Sequence, residues 1–102
     1  MSRWVKLCSR EQLPAEGQAK EFIVAGRIFC VATVGGKPHA LDNVCPHRGG
    51  PLADGTVENG TIVCPWHQWE FDLATGQAVH SPGTKALVYP LRQQGDDVMV
   101  EV

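Results

Sequence analysis

Two short segments of the sequence each combine a cysteine with a histidine. Cys45 is followed at the second position by His47, and Cys64 is followed at the third position by His67. Thiolates and imidazoles are both ligands that transition metals such as zinc and iron accept in proteins. The sequence therefore predicts a metal centre built from these four side chains. No other part of the 102-residue chain carries so specific a chemical pattern.

The residues alone leave three interpretations of this pattern open. Structural zinc sites usually separate paired ligands by two to four residues, whereas a single residue separates Cys45 from His47. Two side chains so close on an extended chain converge poorly on one ion, and they suit a cluster in which they bind different metal ions. A zinc site and a set of four unrelated structural residues remain the alternatives to such a cluster.

The segments Cys45-Pro-His47-Arg-Gly-Gly and Cys64-Pro-Trp-His67 resemble those of Rieske [2Fe-2S] proteins, in which two histidines replace two cysteines on one iron. The resemblance runs over nearly the whole chain. It implies one [2Fe-2S] cluster, with Cys45 and Cys64 on one iron and His47 and His67 on the other. It further implies that the imidazole edges reach the surface, and that a third loop containing Pro82 covers the cluster.

The surroundings of the ligands differ from those of the Rieske proteins in cytochrome bc complexes. By resemblance, Gly50 and Trp66 occupy the positions of a disulfide, while Trp69 and Phe71 replace serine and tyrosine hydroxyls directed at sulfur. Fewer hydrogen-bond donors near sulfur stabilise an added electron less. We therefore expect a reduction potential near the low end of the Rieske range, roughly −150 mV. Aromatic packing around the loops is a second interpretation of Trp66, Trp69 and Phe71, and it is compatible with the first.

Composition and charge fit a single small globular domain. Apolar residues make up 43% of the chain and the formal net charge is −2, without the basic stripe that nucleic-acid binding requires. The longest apolar run, residues 28–34, is far too short to cross a bilayer. The first residues lack the apolar segment of a signal peptide. These features predict a cytoplasmic protein that binds neither nucleic acid nor membrane.

Short β-like runs punctuated by glycine and proline predict an all-β fold, a small antiparallel sandwich or barrel. The run 27–34 is apolar on both faces and should be central in its sheet. Gly35-Gly36, which follows it, predicts a tight hairpin turn, and both cysteine–histidine segments are predicted to lie on hairpin-like loops that follow short strands. The predicted strands cover 4–8, 21–25, 27–34, 37–42, 61–63, 70–73, 85–92 and 98–102, and 51–60 is predicted to be a turn-rich link. The resemblance adds that residues 1–102 form one Rieske domain, with an inserted cluster-binding subdomain at about 43–71.

Several other reactive side chains have ordinary interpretations. Cys30 lies in an apolar strand, where a free thiol acts as a small hydrophobic group. A bridge between Cys8 and Cys30 is the alternative, although cytosolic proteins rarely form one. His39 and His80 have no ligand partner at a useful spacing and are expected to be packed or solvated. Four acidic residues are either a docking face or ordinary surface charge: Asp54, Glu58, Glu70 and Asp72.

The sequence contains no nucleophile–base constellation and no phosphate-binding loop, so we predict an electron carrier that is not itself an enzyme. The resemblance implies a monomeric ferredoxin that takes electrons from a flavin-dependent reductase. It would pass them to a terminal, ring-hydroxylating oxygenase, docking near His47 and His67. The alternative is the Rieske-type small subunit of an NAD(P)H nitrite reductase complex. Some such subunits have lost the ligands, whereas all four are present here, which favours the ferredoxin.

Overall fold

The computed structural model describes residues 3–46, 49–66, 68–81 and 83–102. Over these ranges the chain forms ten short strands and two 3₁₀ turns, which confirms the all-β prediction. The strands are β1 (Trp4–Ser9), β2 (Ala19–Val24), β3 (Arg27–Val34), β4 (Lys37–Asp42), β5 (Thr56–Glu58), β6 (Thr61–Val63), β7 (Glu70–Asp72), β8 (Val88–Tyr89), β9 (Leu91–Gln94) and β10 (Asp97–Glu101). The 3₁₀ turns are Arg10–Gln12 and Leu52–Asp54.

The strands pair into three antiparallel sheets. The first sheet has the order β1-β10-β9, the second β2-β3-β4-β8, and the third β5-β6-β7. Strand β3 is an inner strand of the second sheet, flanked by β2 and β4 along its length, as its sequence predicts. All ladders between these strands are antiparallel.

The second sheet separates two hydrophobic cores, and the alternation of side chains along β3 explains both. Phe29 and Val31 point into a core shared with the first sheet. Cys30 and Ala32 point to the opposite side, into a core shared with the third sheet, because successive side chains of a strand face opposite ways. That second core also contains Cys45 and Cys64, so the two cysteines among the predicted metal ligands lie in the packed interior.

The hairpin between β3 and β4 turns at two glycines, as predicted. Gly35 and Gly36 have φ angles of 63° and 75°, the left-handed pair that a tight hairpin turn of type I′ requires. Their backbone N–H groups both donate to the carboxylate of Glu16, at 2.6 and 2.8 Å. These two bonds lower the pKa of Glu16 and tie the segment before β2 to the tip of the hairpin.

Two predictions about the strands are wrong. The predicted strand over 85–92 is two strands, because β8 pairs with β4 in the second sheet while β9 pairs with β10 in the first. Pro90, which has no N–H to donate, lies where the chain passes between the sheets. The predicted link over 51–60 contains both a 3₁₀ turn and β5, which pairs with β6. No helix in the described ranges is long and apolar enough to cross a membrane.

Candidate metal centre

Two loops with the same closing hydrogen bond hold the two cysteines. The backbone N–H of Cys45 donates to the carbonyl oxygen of Gly50 at 2.9 Å, and that of Cys64 donates to the carbonyl oxygen of Trp69 at 2.7 Å. In both loops the acceptor therefore lies five residues after the cysteine. We name them the first loop (45–50) and the second loop (64–69). Each cysteine occupies the first position of a six-residue loop.

Paired backbone segments hold the base of each loop. Val44 bridges Pro51 in antiparallel orientation at the base of the first loop. Val63 pairs with Glu70 at the base of the second, where β6 passes into β7. The loops are thus the tips of two hairpin-like structures, as predicted. The regular pairing below them fixes the direction in which each cysteine leaves the core.

A left-handed backbone conformation occurs at the same place in both loops. Gly49, the fifth residue of the first loop, has a φ angle of 76°, and Gln68, the fifth residue of the second, has a φ angle of 59°. Glycine adopts this conformation without strain, whereas a residue with a Cβ does so at a cost. The second loop therefore keeps at Gln68 a conformation that its residue type does not favour, which indicates that the surrounding structure imposes it.

The thiols of Cys45 and Cys64 lie next to each other in the interior. They are 1% and 0% exposed, they are within hydrogen-bonding reach of each other, and they form no disulfide. Burial is the main cause that raises the pKa of Cys64, and the Cys45 thiol adds to it. The backbone N–H of Trp66 donates to the Cys64 sulfur and acts in the opposite direction.

This donor pair fits a bound metal. The two thiols are buried side by side without a disulfide, and thiolate is a ligand that zinc and iron accept, because the metal ion deprotonates the thiol that coordinates it. A backbone amide directed at sulfur is the type of group that tunes an iron–sulfur site. The structure therefore brings together Cys45 and Cys64, the two cysteines that the sequence predicts as ligands.

The other two predicted ligands, His47 and His67, lie outside the described residues, as does Pro82 of the predicted covering loop. Within 3–46, 49–66, 68–81 and 83–102, no group of three or more metal-binding side chains occurs. The assignment of the two histidines therefore remains a prediction from the sequence.

A direct contact between Gly50 and Trp66 joins the two loops. A Cβ placed on Gly50 would lie 2.9 Å from two atoms of the Trp66 indole and 3.1 Å from the Cys64 sulfur. The ring therefore packs against the glycine backbone, in space that any side chain at position 50 would enter. By resemblance these are the positions of a disulfide in other members, and here a ring contact between the loops takes that place.

Trp69 at the end of the second loop and Phe71 on β7 pack as aromatic core residues, which agrees with the interpretation as aromatic packing around the loops. Phe71 is fully buried, Trp69 packs against the core that contains the cysteines, and the ring centroids are 6.4 Å apart. The positions that carry hydroxyls in high-potential relatives are thus filled by rings, one of them fully buried. This packing leaves the expectation of a low reduction potential in place, still to be measured.

The other two histidines, His39 and His80, lie in different surroundings. His39 on β4 is partly buried, and burial is the main cause that lowers its pKa, assisted by Lys37 and opposed by Asp72. His80 is largely exposed, and its Nε2 lies 3.6 Å from a carboxylate oxygen of Glu70. Sequence reasoning missed this pair, because nothing in the spacing of positions 70 and 80 indicates that they meet.

Cys8 and Cys30 are free thiols in two different cores. Cys8 packs between the first and second sheets, and Cys30 packs on the other side of the second sheet. Burial raises the pKa of Cys30 to about 12, so its thiol remains protonated and uncharged. The interpretation of Cys30 as a small hydrophobic group is confirmed, and the alternative of a bridge between Cys8 and Cys30 is wrong.

Three of the four acidic residues of the predicted docking face share one face of the third sheet. Glu58 and Asp72 both pair with Thr61, so their side chains lie on the same side. Glu70 lies two residues before Asp72 on β7 and so shares that side, while Asp54 lies in the second 3₁₀ turn. The face is acidic, but the pairing alone does not distinguish docking from ordinary surface charge.

Comparisons with known proteins agree with this geometry. The family described as the Rieske [2Fe-2S] domain matches residues 3–93. The ferredoxin component of the naphthalene 1,2-dioxygenase system from Pseudomonas aeruginosa is 33% identical over 101 residues, covering 98% of this chain and 96% of that protein.

Two solved structures are also similar. One is the complex of reduced oxygenase and oxidised ferredoxin in carbazole 1,9a-dioxygenase, with 28% identity, a TM-score of 0.82, and 95% and 91% of the two chains covered. The other is described as an NADH-dependent nitrite reductase small subunit from Mycobacterium tuberculosis. It has a TM-score of 0.88 and covers 100% of this chain and 96% of its own, but at 22% identity it shows the fold alone.

Proposed function

Because the chain belongs to the Rieske [2Fe-2S] domain family, we propose that it carries single electrons from a flavin-dependent reductase to a terminal, ring-hydroxylating oxygenase. The observation that carries this proposal is the pair of buried thiols at Cys45 and Cys64, brought together by two equally closed loops. The similar ferredoxin components of dioxygenase systems support the role. The protein is an electron-transfer component and not the catalytic enzyme.

Four residues hold one [2Fe-2S] cluster in this proposal. Cys45 and Cys64 bind one iron, and His47 and His67 bind the other. The two cysteines are adjacent in the core, and each histidine follows its cysteine within the same six-residue loop. When bound, the cluster accepts and releases one electron at a time. Residues 1–102 form one Rieske domain, of which about 43–71 is the cluster-binding subdomain.

The protein surrounds this centre asymmetrically. On the inner side, the cysteines are packed against the fully buried Leu52 and Phe71, which exclude water from the sulfur atoms. On the outer side, Val44 and Trp66 are 52% and 50% exposed at the two loops. Electron-transfer partners bind through small, transient interfaces, and these exposed apolar side chains provide the surface for one. Electrons leave through the histidine side.

The alternative is a Rieske-type small subunit of an NAD(P)H nitrite reductase. The similar fold of such a subunit favours it, while the higher identity to ferredoxin components favours the first proposal. A ferredoxin is a cytoplasmic monomer that supports an oxygenase when added separately. A reductase subunit instead co-purifies with a sirohaem enzyme, so gel filtration with and without the neighbouring gene products distinguishes the two.

The experiment is the iron and acid-labile sulfide content of the purified protein, its electron paramagnetic resonance when reduced, and its reduction by a reductase of the same organism. We expect two irons and two sulfides per chain, and a Rieske-type spectrum. His67→Ala should lose the cluster, while His39→Ala, the matched control on β4, should keep the visible spectrum. Full iron, sulfide and a native spectrum in His67→Ala would show that His67 is not a ligand, and zinc in place of iron would end the proposal.

A further inference from the structure

A cleft of about 300 Å³ opens beside the second loop. One wall comes from the end of that loop and the start of β7, and the other from the segment that follows β7 and returns across it. The lining residues are Gln68, Trp69, Glu70, Ala78, His80 and Ser81. Gln68 is the chain neighbour of His67, so the cleft borders the proposed exit for electrons.

The carboxylate of Glu70 is the anionic group of this cleft, and its bonds to the protein are weak. One oxygen lies 3.3 Å from the hydroxyl of Thr61, and the other lies 3.6 Å from Nε2 of His80. Both distances exceed those of strong charge-assisted hydrogen bonds. The side chain of His80 is 82% exposed, whereas that of Glu70 is 34% exposed. Glu70 is therefore partly withdrawn from water, and none of its partners among the described residues is a strong one.

We propose that this cleft receives a cationic side chain, an arginine of the electron-transfer partner, with Glu70 as its acceptor. The inference rests on the proposed function, because it concerns the partner of the same electron-transfer site. No lysine or arginine is among the described residues that line the cleft, so these residues present no lysine or arginine charge that would repel an incoming cation.

The chemistry of the walls favours arginine over a simple ammonium group. A guanidinium is flat, binds a carboxylate through two parallel N–H donors, and packs against aromatic rings. Glu70 supplies the carboxylate, and Trp69 and Ala78 supply aromatic and apolar wall. The hydroxyl of Ser81 is a further acceptor at the rim. An acidic side chain would face the carboxylate of Glu70, and an apolar one would leave that carboxylate unpaired and desolvated.

The position of the cleft suits a docking contact that selects orientation. Val44 and Trp66 are exposed at the two loops, and the cleft lies on the side of the second loop that continues into β7. A partner that covers the exposed side chains of Val44 and Trp66 and also places one arginine in the cleft is held in one orientation by contact area and by charge. Charge pairs at an interface contribute mainly to orientation and to the rate of association.

The test measures binding of the oxidised ferredoxin to the oxygenase that it reduces in the preceding experiment, by calorimetry over a series of salt concentrations. Glu70→Gln should raise Kd roughly ten-fold and flatten its dependence on salt. Glu58→Gln is the matched control, because it removes the same charge from the same sheet face but lies outside the cleft lining. It should leave Kd and its salt dependence almost unchanged.

Two further variants separate charge from shape. Ser81→Trp fills the cleft without changing its charge and should weaken binding as much as Glu70→Gln does. His80→Ala removes the competitor for the Glu70 carboxylate and should leave binding unchanged or tighter. Iron content and reduction potential of each variant must equal those of the wild type, so that a change in Kd reports docking alone.

Several outcomes would overturn the inference. Equal effects of Glu70→Gln and Glu58→Gln would mean that general surface charge is being measured. Tighter binding of Glu70→Gln would mean that the cleft receives an apolar or acidic group. Unchanged binding of Ser81→Trp would mean that nothing enters the cleft. A wild-type protein that reduces no oxygenase would refute the proposed function itself, whereas the other outcomes leave that function intact.

Discussion

The contact between Gly50 and Trp66 gives the sharpest prediction about the metal centre. In a Gly50→Ala variant, the new methyl group would lie 2.9 Å from two ring atoms of Trp66. That separation is about 0.5 Å short of ordinary van der Waals contact, which begins at 3.4 Å. Overpacking of this kind typically costs about 1–3 kcal/mol. Trp66 is half exposed and has room to move, but the Cys64 sulfur, 3.1 Å away, is fully buried.

The consequence should appear as faster loss of the cluster. If the strain is relieved when the loops separate, a cost of about 1–3 kcal/mol accelerates separation by roughly 5- to 150-fold. The assay is the rate at which visible absorbance bleaches in the presence of an iron chelator and moderate urea. Iron and sulfide per chain are measured before the assay. The Gly50→Ala protein should bleach faster than the wild type, because the displaced indole of Trp66 no longer holds the two loops together.

Matched variants identify the cause. Gly83→Ala is the control, because a Cβ at Gly83 meets no atom of the described residues within 4 Å, and it should bleach at the wild-type rate. Adding Trp66→Ala to Gly50→Ala removes the ring that the methyl group strikes. The double variant should therefore bleach more slowly than the sum of the two single effects predicts, with a coupling of about 0.5–3 kcal/mol. A Gly50→Ala protein that bleaches like the wild type would refute the reasoning.

Three other predictions concern the scaffold and the potential. Glu16→Gln should destabilise the protein at neutral pH, because the carboxylate accepts N–H groups of Gly35 and Gly36. Folding lowers the pKa of Glu16 from its ordinary value of 4.5, so the carboxylate contributes its full stabilisation above that value and loses it as the pH falls through the lowered pKa. The difference between the urea midpoints of wild type and Glu16→Gln should therefore shrink as the pH falls. A difference that stays constant with pH would contradict this. Gly55→Ala should lower the urea midpoint by the equivalent of about 2 kcal/mol or more, because its methyl group would strike the backbone oxygen of Val63; a midpoint equal to that of wild type would be inconsistent with this contact. Protein-film voltammetry should give a midpoint potential of roughly −150 mV, and a value well above zero would contradict the expectation.

Sequence reasoning succeeded where one residue type determines one local conformation. The glycine pair at 35–36 required a tight turn and forms one. The apolar character of β3 on both faces required an inner strand, and β3 is buried between two cores. The two Cys-Pro segments indicated hairpin-like loops, and both are closed by the same hydrogen bond. In each case the information lies within about ten consecutive residues.

It failed where the decisive contact is distant in the chain. Residues 85–92 show one continuous strand-like pattern, yet β8 and β9 belong to different sheets because their partners, β4 and β10, lie in different sheets. Strand β5 was missed because it is three residues long and lies between turn-forming dipeptides. Its pairing with β6, and not its own composition, makes it a strand. The pair of His80 and Glu70 was missed because the contact arises only when the segment after β7 folds back across that strand.

The common closure of the two loops bears on why the cysteine–histidine spacings differ. Both loops have six residues, begin with a cysteine, continue with a proline and reach a left-handed residue at the fifth position. The histidine is third in the first loop and fourth in the second. The indole of Trp66 fills the third place of the second loop, where the first loop has its histidine, and its contact with Gly50 shows that this place faces the other loop.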